Sequence, residues 1–421
     1  MKKQFFICMY LSVIMLFFVS CPLLEWTDPD DYKSLDDLSY ITEKTAIKKF
    51  SHLTEPIVIT MPVWETRYYK GKRKGKTQKF KIGDIFVVID IEKNEVFDWV
   101  YFGGKTGLTL YRPLELGNPV KYYVTSDFSN EVICLDPGKT QLSTIETTIY
   151  DCHFLNLNTS TKTSYGLRAH RHIGYKEEDF YYEYEILDSS TDTVLAYKPQ
   201  IPSDTEHHVF DAIVGSDGNF YFGNHFPKEK ETDPVKAEII KLDIINSSWK
   251  RYDLNLINYI GKECFGYSIK YVNFNRMFIT RIGDNSDDLL IFKKTADGYE
   301  LEKEIFTDFD SIKEIIKKIV EIDGTIYIIA SNCFNDYSYV DIYRLTDDLE
   351  MEKINPDWAT TNIKEDEKFK ITFTENVWVR GTKIYFMNSW NTSKVAYRYY
   401  NVESGEYSTQ PVWIDFKDVV R

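Results

Sequence analysis

Phe86-Val-Val-Ile-Asp-Ile-Glu-Lys-Asn94-Glu-Val-Phe-Asp-Trp-Val-Tyr-Phe102 sets two runs of β-branched and aromatic residues on either side of a polar centre. Such side chains fit a pleated, half-buried surface, and a polar turn between two such runs predicts an antiparallel hairpin turning near Asn94. The layout recurs six more times. Hairpins are expected over residues 132–145, turning at Pro137-Gly138; 181–197, near Ser190; 237–254, near Asn246; 288–305, at Asp297-Gly298; 340–354, near Asp347; and 395–412, at Ser404-Gly405. Successive turns stand 44, 52, 56, 51, 50 and 58 residues apart.

Several hairpins are preceded by a turn that runs into an aromatic strand, as in Asp217-Gly218-Asn-Phe-Tyr-Phe222, Asp323-Gly324-Thr-Ile-Tyr-Ile328 and Arg380-Gly381-Thr-Lys-Ile-Tyr385. Each repeat has room for four strands, and four strands in roughly 50 residues is the size of a β-propeller blade. The expected fold class is therefore all-β, a propeller over residues 54–421 with seven blades, six or eight also fitting. A β-sandwich, or two β-domains, is the weaker reading, because sandwich strands recur about every 8 to 12 residues without a longer beat. Residues 55–63 are expected to close the ring by pairing into the last blade beside 374–387 or 395–412, since closure removes exposed sheet edges. Two helices are expected outside this pattern. Leu35, Leu38, Ile41 and Ile47 suggest a short one within residues 34–50, and Ile312, Ile315, Ile316 and Ile319 form a stripe behind a Ser311/Glu314 capping box, predicting an inserted helix near 311–319.

The N-terminus carries a different signal. Lys2 and Lys3 precede an apolar run over residues 5–19, Ser20-Cys21 follows, and acidic residues begin at Glu25, the order of an export signal. The box Phe18-Val19-Ser20-Cys21 resembles the cleavage site of bacterial lipoprotein signal peptides, with Phe where the strict pattern has Leu. The resemblance covers about 25 residues. It implies a signal peptide over residues 1–20, a diacylglyceryl anchor with palmitate-type acyl chains on Cys21, a tether over residues 21–53, and an extracytoplasmic place in the cell envelope. Residues 5–24 are also long enough for an uncleaved membrane helix, which takes about 20 residues, although Pro22 opposes it. Both readings put the body of the protein on the same side of the membrane.

The chain has a net charge of −14, and loss of Lys2 and Lys3 with the leader makes it −16. Nucleic acid is excluded as a partner on this balance, because its binding is driven by Lys and Arg neutralising phosphates, and anionic lipid surfaces are poor partners for the same acidic body. One basic run, Lys70-Gly-Lys-Arg-Lys-Gly-Lys76, reads as a solvated hairpin tip or as a contact for lipid headgroups. Beyond Cys8 and Cys21, the cysteines Cys134, Cys152, Cys264 and Cys333 allow three pairings, with Cys134–Cys152 the first to consider.

No phosphate-cradling Gly-x-x-x-x-Gly-Lys-Ser/Thr, no His-Glu-x-x-His and no Gly-x-Ser-x-Gly occurs, so no catalytic residue and no cofactor is assigned. Weaker patterns are present. In His170-Arg-His172 strand alternation puts both imidazoles on one face, which suits Zn²⁺ or Cu²⁺ if further ligands converge; as surface strand residues they need no metal. His207-His208 and His225 lie within 56 residues of them. Asp284-Asn-Ser-Asp-Asp288 is oxygen-rich enough for Ca²⁺ but lacks the spacing of a dedicated loop. Three functions are compatible: a membrane-tethered recognition module for a protein or envelope component, a glycan- or peptide-directed hydrolase or lyase with its site in the propeller channel, or a structural subunit of an envelope assembly.

Overall fold

The computed structural model describes residues 32–69, 76–103, 113–125, 131–146, 165–172, 181–197, 212–225, 237–254, 264–283, 287–305, 308–309, 312–313, 315–331, 340–355, 377–388, 394–408 and 412–415. Within them lie six four-stranded antiparallel meanders and one three-stranded sheet, taken in chain order as sheets 1 to 7. Sheet 1 holds Tyr32–Ser34, Ile57–Tyr69, Thr77–Asp90 and Glu95–Gly103. Sheet 2 holds Leu114–Leu116, Lys121–Thr125, Glu131–Leu135 and Ser143–Glu146, and sheet 3 holds Tyr165–His172, Tyr181–Asp188 and Thr193–Tyr197. Ala212–Val214, Phe220–His225, Ala237–Asp243 and Ser248–Asp253 form sheet 4. Cys264–Val272, Arg276–Gly283, Asp287–Lys294 and Tyr299–Ile305 form sheet 5. Sheet 6 is built from Ile315–Ile322, Thr325–Ser331, Val340–Leu345 and Met351–Lys353, and sheet 7 from Val377–Arg380, Lys383–Asn388, Lys394–Asn401 and Val412–Asp415. Each of the seven predicted hairpins is the last strand pair of one sheet.

Packing turns these sheets into a ring. Strand alternation sends Ile326, Ile328 and Ala330 into a cluster with Phe278, Leu289 and Ile291 of sheet 5, while Tyr327 and Ile329 enter the cluster shared with Val377, Ile384 and Phe386 of sheet 7. A strand buried on both faces must be apolar at nearly every position, hence Thr325-Ile-Tyr-Ile-Ile-Ala330. Similar clusters join sheets 1 and 2, 2 and 3, and 4 and 5. The circle closes where Ile57, Ile59 and Met61 of sheet 1 pack on Trp378, Met387, Tyr397 and Ile414 of sheet 7. The fold is thus an all-β propeller with six four-stranded blades, within the six to eight expected, and sheet 3 shows three strands among the described residues. Turn chemistry fits as well: Asp323 and Gly324 both have positive φ, 50° and 79°, the geometry of a two-residue hairpin turn.

Four expectations change. The inserted helix near 311–319 is not formed: Ile315–Ile322 is the first strand of sheet 6, and Ile312–Lys313 pairs with Asp308–Phe309. A register shift between Ile316 and Lys318 reverses the alternation, so Ile316 and Ile319 point into the same seam although they stand three apart. The helical spacing is that of a bulged strand. Ser311 and Glu314 lie outside the described residues.

The N-terminal helix is a single turn, Ser39–Thr42, and the stretch read as a tether belongs largely to the ring. Tyr32–Ser34 pairs with the second strand of sheet 1, Leu38 and Ile41 join the closing seam, and Ile47 and Phe50 join the seam between sheets 1 and 2. Residues 55–63 do not pair into sheet 7; Ile57–Tyr69 bonds to Thr77–Asp90 instead, so closure rests on side chains. Finally, Cys134 is a free, buried thiol, so the Cys134–Cys152 pair is not formed.

Candidate functional site

A four-stranded meander places its first-to-second and third-to-fourth turns at one end, and its second-to-third turn and its links to neighbouring sheets at the other. The turns 91–94, 215–219, 244–247, 295–298 and 323–324 therefore share one end, the turn end. Sheet 3 follows suit, because Lys121, from the first turn of sheet 2, reaches the Ser189 carbonyl and the Asp192 carboxylate at the 189–192 turn. Its three strands are accordingly the second to fourth of its unit. Links such as 198–211, 226–236 and 332–339 leave the sheets at the opposite, connection end and lie outside the described residues.

Polar groups at the turn end are committed to one another. The Arg380 guanidinium is bidentate to Glu115 at 2.6 and 3.2 Å and also donates to the Glu55 and Pro56 carbonyls, tying sheets 7, 2 and 1 together. Burial opposes its charge, and the Glu115 carboxylate outweighs that, raising its pKa. Asp192 accepts from Lys121 at 2.8 Å and from the Tyr123 hydroxyl at 2.7 Å. Asp217 accepts from Lys241 at 2.7 Å and Tyr221 at 2.8 Å. Burial pushes both acids up, but these hydrogen bonds hold them below the usual carboxylate range. Burial also lifts the Cys134 thiol to about 11, so it stays protonated and inert. These groups clamp the ring.

At the connection end the structure places the sequence candidates only in part. His170 and His172 sit near the end of Tyr165–His172, opposite Glu183 and Tyr181 in register, and His225 ends the second strand of sheet 4 at the same end of the ring. His207-His208, Cys152 and Cys333 lie outside the described residues, as does Cys21. Among the described residues there is no group of three or more candidate ligands for a metal. The Asp284–Asp288 loop is divided: 284–286 lie outside the described residues, while Asp288 is a buried strand residue opposite Arg281. Among the described residues no helix is long and apolar enough to cross a membrane.

A feature that the periodicity concealed is the length of the second and third strands of sheet 1. The fourth strand pairs only as far as Gly83, yet Ile57–Tyr69 and Thr77–Asp90 continue in register to Tyr68↔Thr77. Five residue pairs thus stand clear of the fourth strand as an arm, about 17 Å at a strand's rise per residue. A register shift between Val63 and Trp64 marks its base. There Tyr101 lies across Gly83, where a Cβ would come within 2.5 Å of its ring, and donates its hydroxyl to the Ile82 carbonyl at 2.9 Å. Asp84 is buried beside it and paired with Lys81 at 2.8 Å; its Oδ2 has no hydrogen-bond partner among the described residues. Burial raises the Asp84 carboxyl to about 6 despite Lys81. Two long strand-like runs, 57–69 and 77–90, flanking a basic stretch are the sequence signal for this arm.

No family model and no curated protein matches the chain. Solved structures of similar fold include a 6-phosphogluconolactonase-like protein from Bacteroides uniformis, at 12% identity and a TM-score of 0.47 over 86% of this chain and 98% of that one. The β-propeller domain of the trilobed protease from Pyrococcus furiosus aligns at 10% identity and 0.44 over 88% and 98%, and an ulvan lyase at 8% and 0.43 over 90% and 95%. The likeness lies in the fold and assigns no activity.

Proposed function

We propose that this is a lipid-anchored extracytoplasmic recognition module that binds a protein or envelope component through the connection end of its propeller. The observation that carries the reading is the inequality of the two ends. At the turn end the ionised side chains of Arg380, Asp192 and Asp217 are consumed by partners within the ring. The links between sheets leave from the opposite end, and rigid scaffolds display binding loops in this way. The export signal at residues 1–20 and Cys21 supply the location.

Two measurements test this. Palmitate labelling of the full chain is expected to be lost in Cys21→Ala; retained label overturns the anchor. For the binding face, photo-crosslinking residues placed at Ser331 and Asn388, at the connection end, are expected to give adducts in intact envelopes, whereas Asn246 and Asp347, at the turn end, give none. Adducts from the turn end, or from neither end, overturn the choice of face.

A further inference from the structure

The base of the sheet 1 arm carries an ion pair that bridges two parts of the fold. Val63 pairs with Gly83 and Trp64 with Lys81, which makes Ile82 the extra residue of a bulge. A bulge bends the strand that carries it and re-aims what lies beyond. Lys81 is therefore the first residue of the arm, whereas Asp84, opposite Pro62 and Phe102, belongs to the ring. Their side chains meet across the bulge at 2.8 Å, Lys81 9% and Asp84 4% exposed.

Asp84 is buried by the ring. Alternation puts it on the face of Phe86 and Val88, which line the seam with sheet 2. Among the described residues, the charged or titratable groups that act on it are Lys81 from its own strand and the Tyr101 hydroxyl from the fourth. Pro62 and Phe102, opposite it, carry no charge, and of Tyr122, Val124 and Leu135, which sheet 2 contributes to the seam, only Tyr122 titrates. The carboxylate is bonded through one oxygen, to Lys81; the other, Oδ2, has no hydrogen-bond partner among the described residues.

From this we infer that Lys81 and Asp84 form a proton-operated latch: the charged carboxylate holds the arm in line with the ring, and a proton on Asp84 lets the arm swing at the bulge. Burial raises the pKa of Asp84, and Lys81 lowers it. When the arm swings, Lys81 goes with it and the carboxyl stays in the seam, so the released form binds the proton more tightly than the latched form. Acid therefore favours release, as pH falls through about 6, where the latched carboxyl titrates. Tyr32–Ser34 pairs with the far end of the arm, so release changes the angle at which the described chain enters the ring. The latch does not depend on which end of the propeller binds a partner.

The experiment measures distances between nitroxide labels in the full chain in detergent. The labels are attached to p-acetylphenylalanine, whose ketone chemistry spares the cysteines, at two exposed positions, Lys79 on the arm and Thr144 on sheet 2. The distance distribution is expected to be narrow at about pH 7 and to at least double in width by about pH 5, with the change centred near pH 6. A control pair within the ring, Thr144 and Asp347, is expected to stay narrow throughout. Asp84→Asn, a neutral group of the same shape, should give the broad distribution at both pH values. So should Lys81→Gln, which leaves the carboxyl in place and serves if the first variant disturbs the control pair. A distribution that ignores pH, one that broadens as pH rises, or a pH response that survives Asp84→Asn overturns the latch.

Discussion

The turn end and the arm of sheet 1 are made of the same residue types, arginine, lysine, aspartate and tyrosine, used to opposite effect. At the turn end charges meet their opposites across seams between sheets, as Arg380 meets Glu115 and Lys121 meets Asp192, or within one sheet, as Lys241 meets Asp217. On the described part of the arm Arg67 is held by Glu65 of its own strand, while Lys76 and Lys79 are exposed. Charges that face each other across a buried seam hold a shape, because removing either leaves the other desolvated. Exposed lysines on a projecting strand are solvated and screened by salt, so they contribute little to holding the shape.

The comparison breaks most sharply at Arg380. Arg380→Ala leaves the Glu115 carboxylate without its bidentate partner in a largely buried place, and a loss of about 3–5 kcal/mol in denaturant-unfolding free energy is expected. Arg380→Lys should recover only part of it, since an ammonium cannot reproduce the fork. A loss no larger than that of an exposed pair, under about 1 kcal/mol, would show that the clamp is decoration.

At the base of the arm, Asp84 gives a pH signature of opposite sign to ordinary acid denaturation. Its folded pKa, about 6, lies above its usual 3.8, so folding favours the protonated form. That contribution is fully present below about pH 4 and is lost as pH rises through 6. Wild type compared with Asp84→Asn is expected to lose about 2–3 kcal/mol between pH 4 and pH 7, the linkage value of such a shift. A difference that is flat with pH, measured by unfolding at both values, would remove Asp84 as the cause.

The smallest effect expected is at Gly83. An added methyl collides with the Tyr101 ring, whose outer atoms can move, so Gly83→Ala should cost about 1–2 kcal/mol. In a Tyr101→Ala background the same substitution should cost close to nothing, because the atoms it strikes are gone. Additive losses would mean that Tyr101 does not brace the exit of the arm.

Local chemistry decides the repeating part of this molecule. Polar turns between β-branched runs give seven hairpins at the right places, and their spacing gives the propeller, because strand pairing across a short turn depends on residues that are neighbours in sequence. The order of charge, apolarity and small residues over positions 1–21, on which the proposed export signal rests, is likewise a linear pattern. Tertiary structure decides whatever depends on a register or a seam. A bulge at Ile316–Lys318 makes a strand carry helical spacing, the first and last sheets close by packing and not by a shared strand, and residues 32–53 fold onto the ring instead of spanning a gap. The clamp at Arg380 joins residues 265 positions apart, and no local pattern marks that pairing. The two long runs 57–69 and 77–90 were plain in the sequence, but only the Tyr32↔Tyr69 pairing shows that the described chain enters sheet 1 at their far end. Composition can say that a charge exists; the fold determines which surface it meets.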